Sequence, residues 1–128
     1  MGLPEIDRQH RKLIDMINQL DDATRAGKGR DAIGAILDEL IIYSATHFRM
    51  EEKYFDQFGY ADSEVHKREH AALAEKVADF AAELNAADDS RVQAVLVELV
   101  SFLGIWWKYH ILDTDMKYAA LFREHGVA

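Results

Sequence analysis

Apolar residues recur at alternating intervals of three and four along most of the chain, which is the pattern of helices with one buried face. Glycines and other turn-forming residues divide this pattern into four long segments and a short tail. The predicted helices cover residues 4–26, 31–58, 62–86, 89–110 and 113–124. Because the connections are short, neighbouring helices must run antiparallel. The pattern therefore predicts an all-α fold, an antiparallel up-down-up-down four-helix bundle with a short C-terminal helix.

The ends of these helices carry local signals. Pro4 suits a first helical turn, where its missing N–H would have no intrahelical partner. Ser63 is the predicted cap of the third helix, and Gly126 the residue that ends the tail helix. These signals place the boundaries to within a few residues.

Composition narrows the class of protein. The 128 residues are 49% hydrophobic and 30% charged, which predicts one globular domain covering residues 1–128. The absence of cysteine excludes disulfides, zinc–thiolate sites, cysteine-held iron–sulfur clusters and thiol nucleophiles. A net charge of −8 disfavours nucleic acid and anionic lipid as partners. Lacking a signal-peptide or membrane-span pattern, the sequence predicts a cytoplasmic protein without membrane insertion.

Polar residues occupy part of the apolar seam, that is, the predicted buried face of the helices. Five of the six histidines and one glutamate fall there: His10, His47, Glu51, His66, His70 and His110. They lie near the starts of the first and third helices and near the ends of the second and fourth. In an antiparallel bundle these four places form one end. A buried carboxylate needs a partner, which for Glu51 is either a metal ion or an arginine such as Arg49.

Imidazoles and carboxylates without sulfur suit iron, zinc, manganese or copper. Six donors exceed the needs of a single ion. Asp115, five residues after His110, offers a seventh, and residue spacing alone leaves Asp113 as its competitor. Seven protein donors fit two six-coordinate ions with one open position, provided that both carboxylates bridge and an oxo or hydroxo group completes the bridge.

Four short motifs carry a resemblance to a known family. They are Ile6–His10, His47–Glu52 as H-F-x-x-E-E, His66–His70 as H-x3-H, and Trp106–Asp115 as W-x3-H-I-x3-D. In this order and over residues 6–115, they resemble the motifs of the hemerythrins, and of the bacterial hemerythrins in particular.

The resemblance implies a non-haem di-iron centre that binds O2 reversibly. By analogy, His66, His70 and His110 hold one iron, and His10 and His47 hold the other, which has the open position. Glu51 and Asp115 bridge the two irons together with an oxo or hydroxo group, and O2 is held as hydroperoxide on the open iron. The implied walls of the O2 pocket are Phe48, Trp106, Trp107 and Ile111.

The sequence departs from the family pattern in two places. Few residues precede the first motif, where the family has a longer arm that packs across the ligand end. We therefore expect a site more open to water. Trp107 stands where the family usually has leucine, and we expect it to narrow the pocket or its entrance.

Several functions remain open at this stage. The favoured one is O2 carriage, storage or local delivery, without enzymatic turnover, because no spare acid on the seam lies near the open position. Alternatives at the same site are O2 sensing and di-iron peroxidase or oxidase activity. Iron storage is disfavoured because the chain has no Glu-x-x-His, and a zinc hydrolase because it has no His-Glu-x-x-His. The protein partner is not identified, but Tyr43, Trp107 and Tyr109 are candidates for an exposed aromatic interface.

Overall fold

Four long helices and a short fifth one make up the computed structural model. It describes residues 3–127, and of residues 30, 113 and 114 only the backbone. The elements are α1 (Pro4–Arg25), α2 (Arg30–Phe58), α3 (Ser63–Ala86), α4 (Asp89–Tyr109), a π-helical turn (His110–Thr114), a 3₁₀ turn (Asp115–Lys117) and α5 (Ala119–Glu124). α1 packs against α2 and α4, and α3 packs against the same two helices. This is the predicted four-helix bundle.

The predicted seam is buried along most of its length, but it shifts by one residue in two places. A strict 3-4 repeat continued from Glu51 and Leu103 would bury Tyr54 and Trp106, whereas the structure buries Phe55 and Trp107. A straight α-helix drifts by about 20° per heptad relative to a strict 3-4 repeat. An i+4 step from Glu51 to Phe55 and from Leu103 to Trp107 corrects this drift.

The helix ends differ in part from the prediction. Ser63 is not the cap of α3: Asp62 precedes the helix without a side-chain cap bond, and the Ser63 hydroxyl is buried without a partner. Gly59 ends α2 in the left-handed conformation at φ 67°, which glycine adopts without steric cost. The tail is less regular than expected. A π-helical turn and a 3₁₀ turn come first, and only residues 119–124 form an α-helix.

Two apolar clusters stabilise the bundle. The larger one runs through the four long helices, and the smaller one lies where the tail folds across the end of the bundle. The smaller cluster consists of Leu3, Ile6, Phe55, Tyr118, Ala119 and Phe122. It covers the end at which the polar seam residues lie.

Segment Asp89–Lys117 is long and apolar enough to cross a membrane when judged by length and composition alone. The core helix of a soluble protein passes the same test, and the inner face of α4 does pack into the bundle core. Ile105, Tyr109 and Leu112 point outward and are more than half exposed. Of the three aromatic interface candidates, Tyr109 is exposed, Tyr43 is half-buried, and Trp107 is fully buried, so the expectation for Trp107 was wrong.

Candidate metal centre

All seven predicted donors converge in one buried group at the end of the bundle. None is more than 5% exposed: His10, His47, Glu51, His66, His70, His110 and Asp115. α1 supplies the first, α2 the next two and α3 the fourth and fifth. The last two come from the irregular segment after α4. The expectation of a site open to water is therefore wrong for these donors, because side chains of both apolar clusters cover them.

Three histidines form the first half of this group. The Nε2 atom of His110 lies 3.2 Å from Nε2 of His66 and 3.2 Å from Nε2 of His70. Metal–nitrogen bonds of about 2.1 Å at right angles place two nitrogens about 3.0 Å apart. The spacing of the three imidazoles thus suits three adjacent positions around one ion.

The two carboxylates reach both halves of the group. Oδ1 of Asp115 lies 3.0 Å from Nε2 of His66 and 3.0 Å from Nε2 of His110, whereas Oδ2 lies 2.9 Å from Nε2 of His10. Oε1 of Glu51 lies 3.0 Å from Nε2 of His47. Two sets of donor atoms result, each within 4.8 Å: Glu51, His66, His70 and His110; and His10, His47, Glu51 and Asp115.

The polar atoms at the centre lack hydrogen-bond partners. Nε2 of His10 and His47, Oε1 of Glu51 and both oxygens of Asp115 are buried, and none makes an aligned hydrogen bond within the described chain. Such atoms cost about 1–3 kcal/mol each when left unsatisfied. Their short separations without alignment are what donors directed at shared ions show. The residues present therefore fit a metal site.

A π-helical turn brings Asp115 into the group. An α-helix would place residue i+5 about 140° around the axis from residue i. Here the Asp115 N–H donates to the carbonyl of His110, which closes a wider i→i+5 turn. The wider turn brings Asp115 towards the same side of the helix as His110. Asp115, one of the two positions left open by the spacing, is fully buried in the group. The side chain of Asp113 lies outside the described part of the structure.

The outer nitrogens of three histidines face side chains that the sequence analysis did not identify. Nδ1 of His47 lies 2.6 Å from Oε1 of Gln9, and Nδ1 of His70 lies 3.1 Å from Oε2 of Glu52. Nδ1 of His110 lies 3.4 Å from Oε2 of Glu69. At His47 and His70 the oxygen is a hydrogen-bond partner of Nδ1, which favours the tautomer that leaves Nε2 free as a metal ligand, whereas Nδ1 of His110 makes no aligned hydrogen bond within the described chain. The signal was present in the sequence, since each acceptor directly neighbours a seam residue of its own helix.

Sequence reasoning also missed Tyr118. Its hydroxyl donates a hydrogen bond to Oε2 of Glu51, and the side chain is fully buried. Arg49, the alternative partner of Glu51, is exposed and donates to Thr46 instead. The only sequence signal for Tyr118 was its position three residues after Asp115, in a tail that was predicted to be regular helix.

Burial and close neighbours perturb the titration of the group. Burial, together with the neighbouring imidazoles of His110 and His66, lowers the pKa of His70 to about 2. Burial opposes protonation of His110 as well, but the adjacent Asp115 outweighs it and raises the pKa of His110. Burial likewise opposes ionisation of Asp115, yet contacts with His10, His110 and His66 hold its pKa well below the usual range. The carboxylate of Asp115 is therefore ionised and ready to bind a cation.

Aromatic rings pack directly on the histidines. Phe48 stacks on His70 with a centroid separation of 3.8 Å, and Trp107 stacks on Phe48 at 5.4 Å. Trp106 is half-buried and stacks on His110 at 4.3 Å, on the outer side of α4. Ile111 is half-buried and packs against the larger apolar cluster. Their role as the walls of an O2 pocket stays a prediction.

Comparison with known proteins decides the family. Residues 1–122 match the family model of the hemerythrin HHE cation binding domain. The chain belongs to the hemerythrin family. It is 33% identical to the bacteriohemerythrin of Stenotrophomonas maltophilia over 125 residues, covering 98% of this chain and 78% of that protein. It is 36% identical to the bacteriohemerythrin of Methylococcus capsulatus over 112 residues, covering 88% and 82% of the two chains.

A third relative is the bacteriohemerythrin of Pseudomonas aeruginosa, which is 34% identical over 117 residues, covering 91% of this chain and 72% of the relative. Membership of the hemerythrin family supports, in general terms, a di-iron protein that binds O2. The buried histidine and carboxylate cluster fits the metal site that such a protein needs.

Proposed function

We propose that this protein binds O2 reversibly at a centre of two iron ions, for carriage, storage or local delivery of O2. In this proposal His66, His70 and His110 hold one iron, His10 and His47 hold the other, and Glu51 and Asp115 bridge them with an oxo or hydroxo group. The main support for this proposal is that the two oxygens of Asp115 face different histidines. Oδ1 faces His66 and His110, and Oδ2 faces His10.

The number of donors on each side gives the proposed site its asymmetry. An iron pair, when bound, supplies the electrons and the open coordination position that O2 binding requires. Three histidines lie in one half of the group and two in the other; Glu51 belongs to both halves, and Asp115 contacts His66 and His110 in the first half as well as His10 in the second. Compared with the half formed by His66, His70 and His110, the half formed by His10 and His47 therefore has one protein ligand fewer. We place the open position there.

The surrounding residues favour binding over turnover. Stacked rings of Phe48 and Trp107 exclude water from the side of His70 and His47. The Tyr118 hydroxyl is the described proton donor nearest to Glu51, but burial and the carboxylates of Glu51 and Asp115 raise its pKa well above the usual value. We propose that the protein is not primarily an enzyme, because the stacked rings keep water away from the donor group.

The decisive experiment is an anaerobic titration. The protein is loaded with ferrous iron, iron per chain is counted, and the visible spectrum is recorded while O2 is admitted and then removed. We expect two irons and a colour that appears and fades over repeated cycles. One-way oxidation with two irons would contradict reversible binding and favour a peroxidase, an oxidase or a sensor.

Ligand variants test the residue assignment. Each of His70→Ala and Glu51→Ala should remove at least one iron and abolish the O2 complex. His125→Ala is the matched control, because His125 is exposed and, among the described residues, its ring stacks on Phe58 alone. Retention of two irons in both ligand variants would refute the assignment.

We also propose that residues 1–128 act as one hemerythrin domain in the cytoplasm without membrane insertion. This is supported by the inner face of α4, which packs into the bundle core, and by His110, which directly follows α4 and belongs to the donor group. Cell fractionation tests this, since a protein recovered in the membrane fraction after a high-salt wash would contradict it.

A further inference from the structure

An apolar cavity of about 180 Å³ lies between α2 and α3, beside the candidate metal centre. Its mouth is formed in part by Ala45, Ala74 and Ala78, three exposed alanines whose small side chains leave the crevice between the two helices unfilled. Ser44 and Trp107 alone among the lining side chains carry a polar atom. The other nine lining side chains are purely hydrocarbon, so the lining favours an apolar occupant over water.

The inner wall of this cavity is shared with the metal centre. Phe48 and Trp107 line the cavity and stack on each other with a 19° angle between their rings. Phe48 also stacks on His70, and the ring of Trp107 lies 6.1 Å from that of His47. We call Phe48 and Trp107 the ring wall. A single layer of aromatic side chains thus separates the cavity from both halves of the donor group.

We infer that this cavity is the route by which O2 reaches the metal centre, with the ring wall as the barrier that O2 must pass. The inference rests on the proposed function. Dry cavities of about 150 Å³ lined by Leu, Ile and Phe bind xenon and benzene. A small apolar gas therefore concentrates in such a space, whereas ions and hydrated reductants do not. The route would admit O2 while protecting the centre from polar reactants.

A second opening provides the competing route. A more open groove lies against the outer side of α4 and is lined by Glu69, Ala72, Trp106 and His110, among others. Trp106 stacks on His110 there and leaves the groove in contact with one candidate ligand. Ala72 and Ala74 are both exposed alanines of α3, and each lines one of the two openings. They offer a matched pair of variants.

Xenon tests the cavity without relying on iron or O2. Crystals of the protein under xenon pressure should show xenon beside Phe48 and Trp107. Ala74→Phe should abolish that xenon site, and Ala72→Phe should retain it. No xenon in the wild-type cavity would overturn the inference.

Rapid mixing tests the route. Blocking an entrance changes the barrier but neither end state, so it slows entry and exit equally. In iron-loaded Ala74→Phe we expect O2 association and dissociation to slow by the same factor, roughly tenfold, with the O2 affinity unchanged. Ala72→Phe should keep both wild-type rates. The iron content and visible spectrum of each variant are measured first, so that only proteins with an intact centre are compared.

The possible outcomes separate the two proposals. Wild-type rates in Ala74→Phe would overturn the route while leaving O2 binding intact. Slowing in Ala72→Phe alone would assign entry to the groove beside Trp106. If Ala74→Phe changed the O2 affinity but not the association rate, the substituted side chain would be acting on bound O2 rather than blocking the entrance, and the route would be overturned. Absence of any O2 complex in the wild type would overturn the proposed function, and the route with it.

Discussion

The hydroxyl of Tyr118 donates a hydrogen bond to Oε2 of Glu51 at the centre of the buried donor group. The other oxygen of Glu51, Oε1, lies 3.0 Å from Nε2 of His47. Tyr118 stands in the tail, and Glu51 in α2, so this bond ties the tail to the bundle. It also fixes the rotation of a carboxylate that is proposed to bridge two ions. Tyr118 is accordingly a positioning residue.

Tyr118→Phe should weaken the metal centre without dismantling it. Loss of a partner that orients a metal ligand typically lowers metal affinity about 10–100-fold. We expect two irons at saturating ferrous iron but a weaker second binding step and a shifted visible spectrum. Iron titration followed by absorbance measures both effects.

The control for Tyr118 is Tyr60→Phe. Tyr60 belongs to the same aromatic contacts, with its ring 6.3 Å from that of Tyr118, and burial raises its pKa to about 12. It makes no described contact with Glu51. Equal weakening in both variants would show that Tyr118 acts through packing alone.

Asp115→Asn should cost the protein at least one iron, because it removes the negative charge shared by His10, His66 and His110. Asp113→Asn should retain both irons. The measurement is iron per chain after desalting, with circular dichroism to confirm that each variant is folded. Iron loss in Asp113→Asn and retention in Asp115→Asn would reverse the assignment drawn from the π-helical turn.

Gln9→Leu should lower the affinity of the half-site that contains His47. The Gln9 amide oxygen lies 2.6 Å from Nδ1 of His47 and favours the tautomer with a free Nε2. We expect iron affinity at that half-site to fall about 10–100-fold. Gln57→Leu, at an exposed position of the same residue type, should have no effect. Similar affinities in the two variants would exclude this role for Gln9.

The free energy of unfolding of the iron-free protein should depend on pH through the protonation of His70. Its folded-state pKa of about 2 lies below the ordinary 6.5, so the unfolded chain binds the extra proton as the pH falls below 6.5. The contribution of His70 to stability is therefore complete above pH 6.5. It decreases by up to about 1.4 kcal/mol per pH unit below it.

Comparison with His70→Gln isolates this contribution, because the raised pKa of His110 acts in the opposite direction. Urea unfolding of the iron-free wild type should show a steeper loss of unfolding free energy between pH 6 and pH 4.5 than the variant shows. Parallel profiles would mean that His70 is not held neutral in the folded state.

The regular part of the bundle could be predicted from the sequence. A helical period repeated through four segments leaves few packing solutions, and short connections make neighbours antiparallel. The same periodicity placed His10, His47, Glu51, His66, His70 and His110 on the inner faces at one end. Their convergence needed only helix geometry, which is why it was predictable.

Features that depend on irregular backbone could not be predicted in this way. Asp115 enters the group because a π-helical turn interrupts the helical period, and no repeating pattern encodes a single wider turn. The one-residue shifts to Phe55 and Trp107 arise from the drift of a straight helix against a 3-4 repeat. Both depend on how the helices pack together.

The sequence by itself determined which helix faces are buried and that six candidate donors lie on them at one end, because periodicity along a helix is a local property. The tertiary structure alone decided how these residues are supported. It brought Tyr118 to Glu51 across 67 positions and Gln9 to His47 across 38, closed the tail over the ligand end, and left a cavity behind Phe48 and Trp107. Contacts and voids between distant segments follow from packing of the whole chain, which no local pattern specifies.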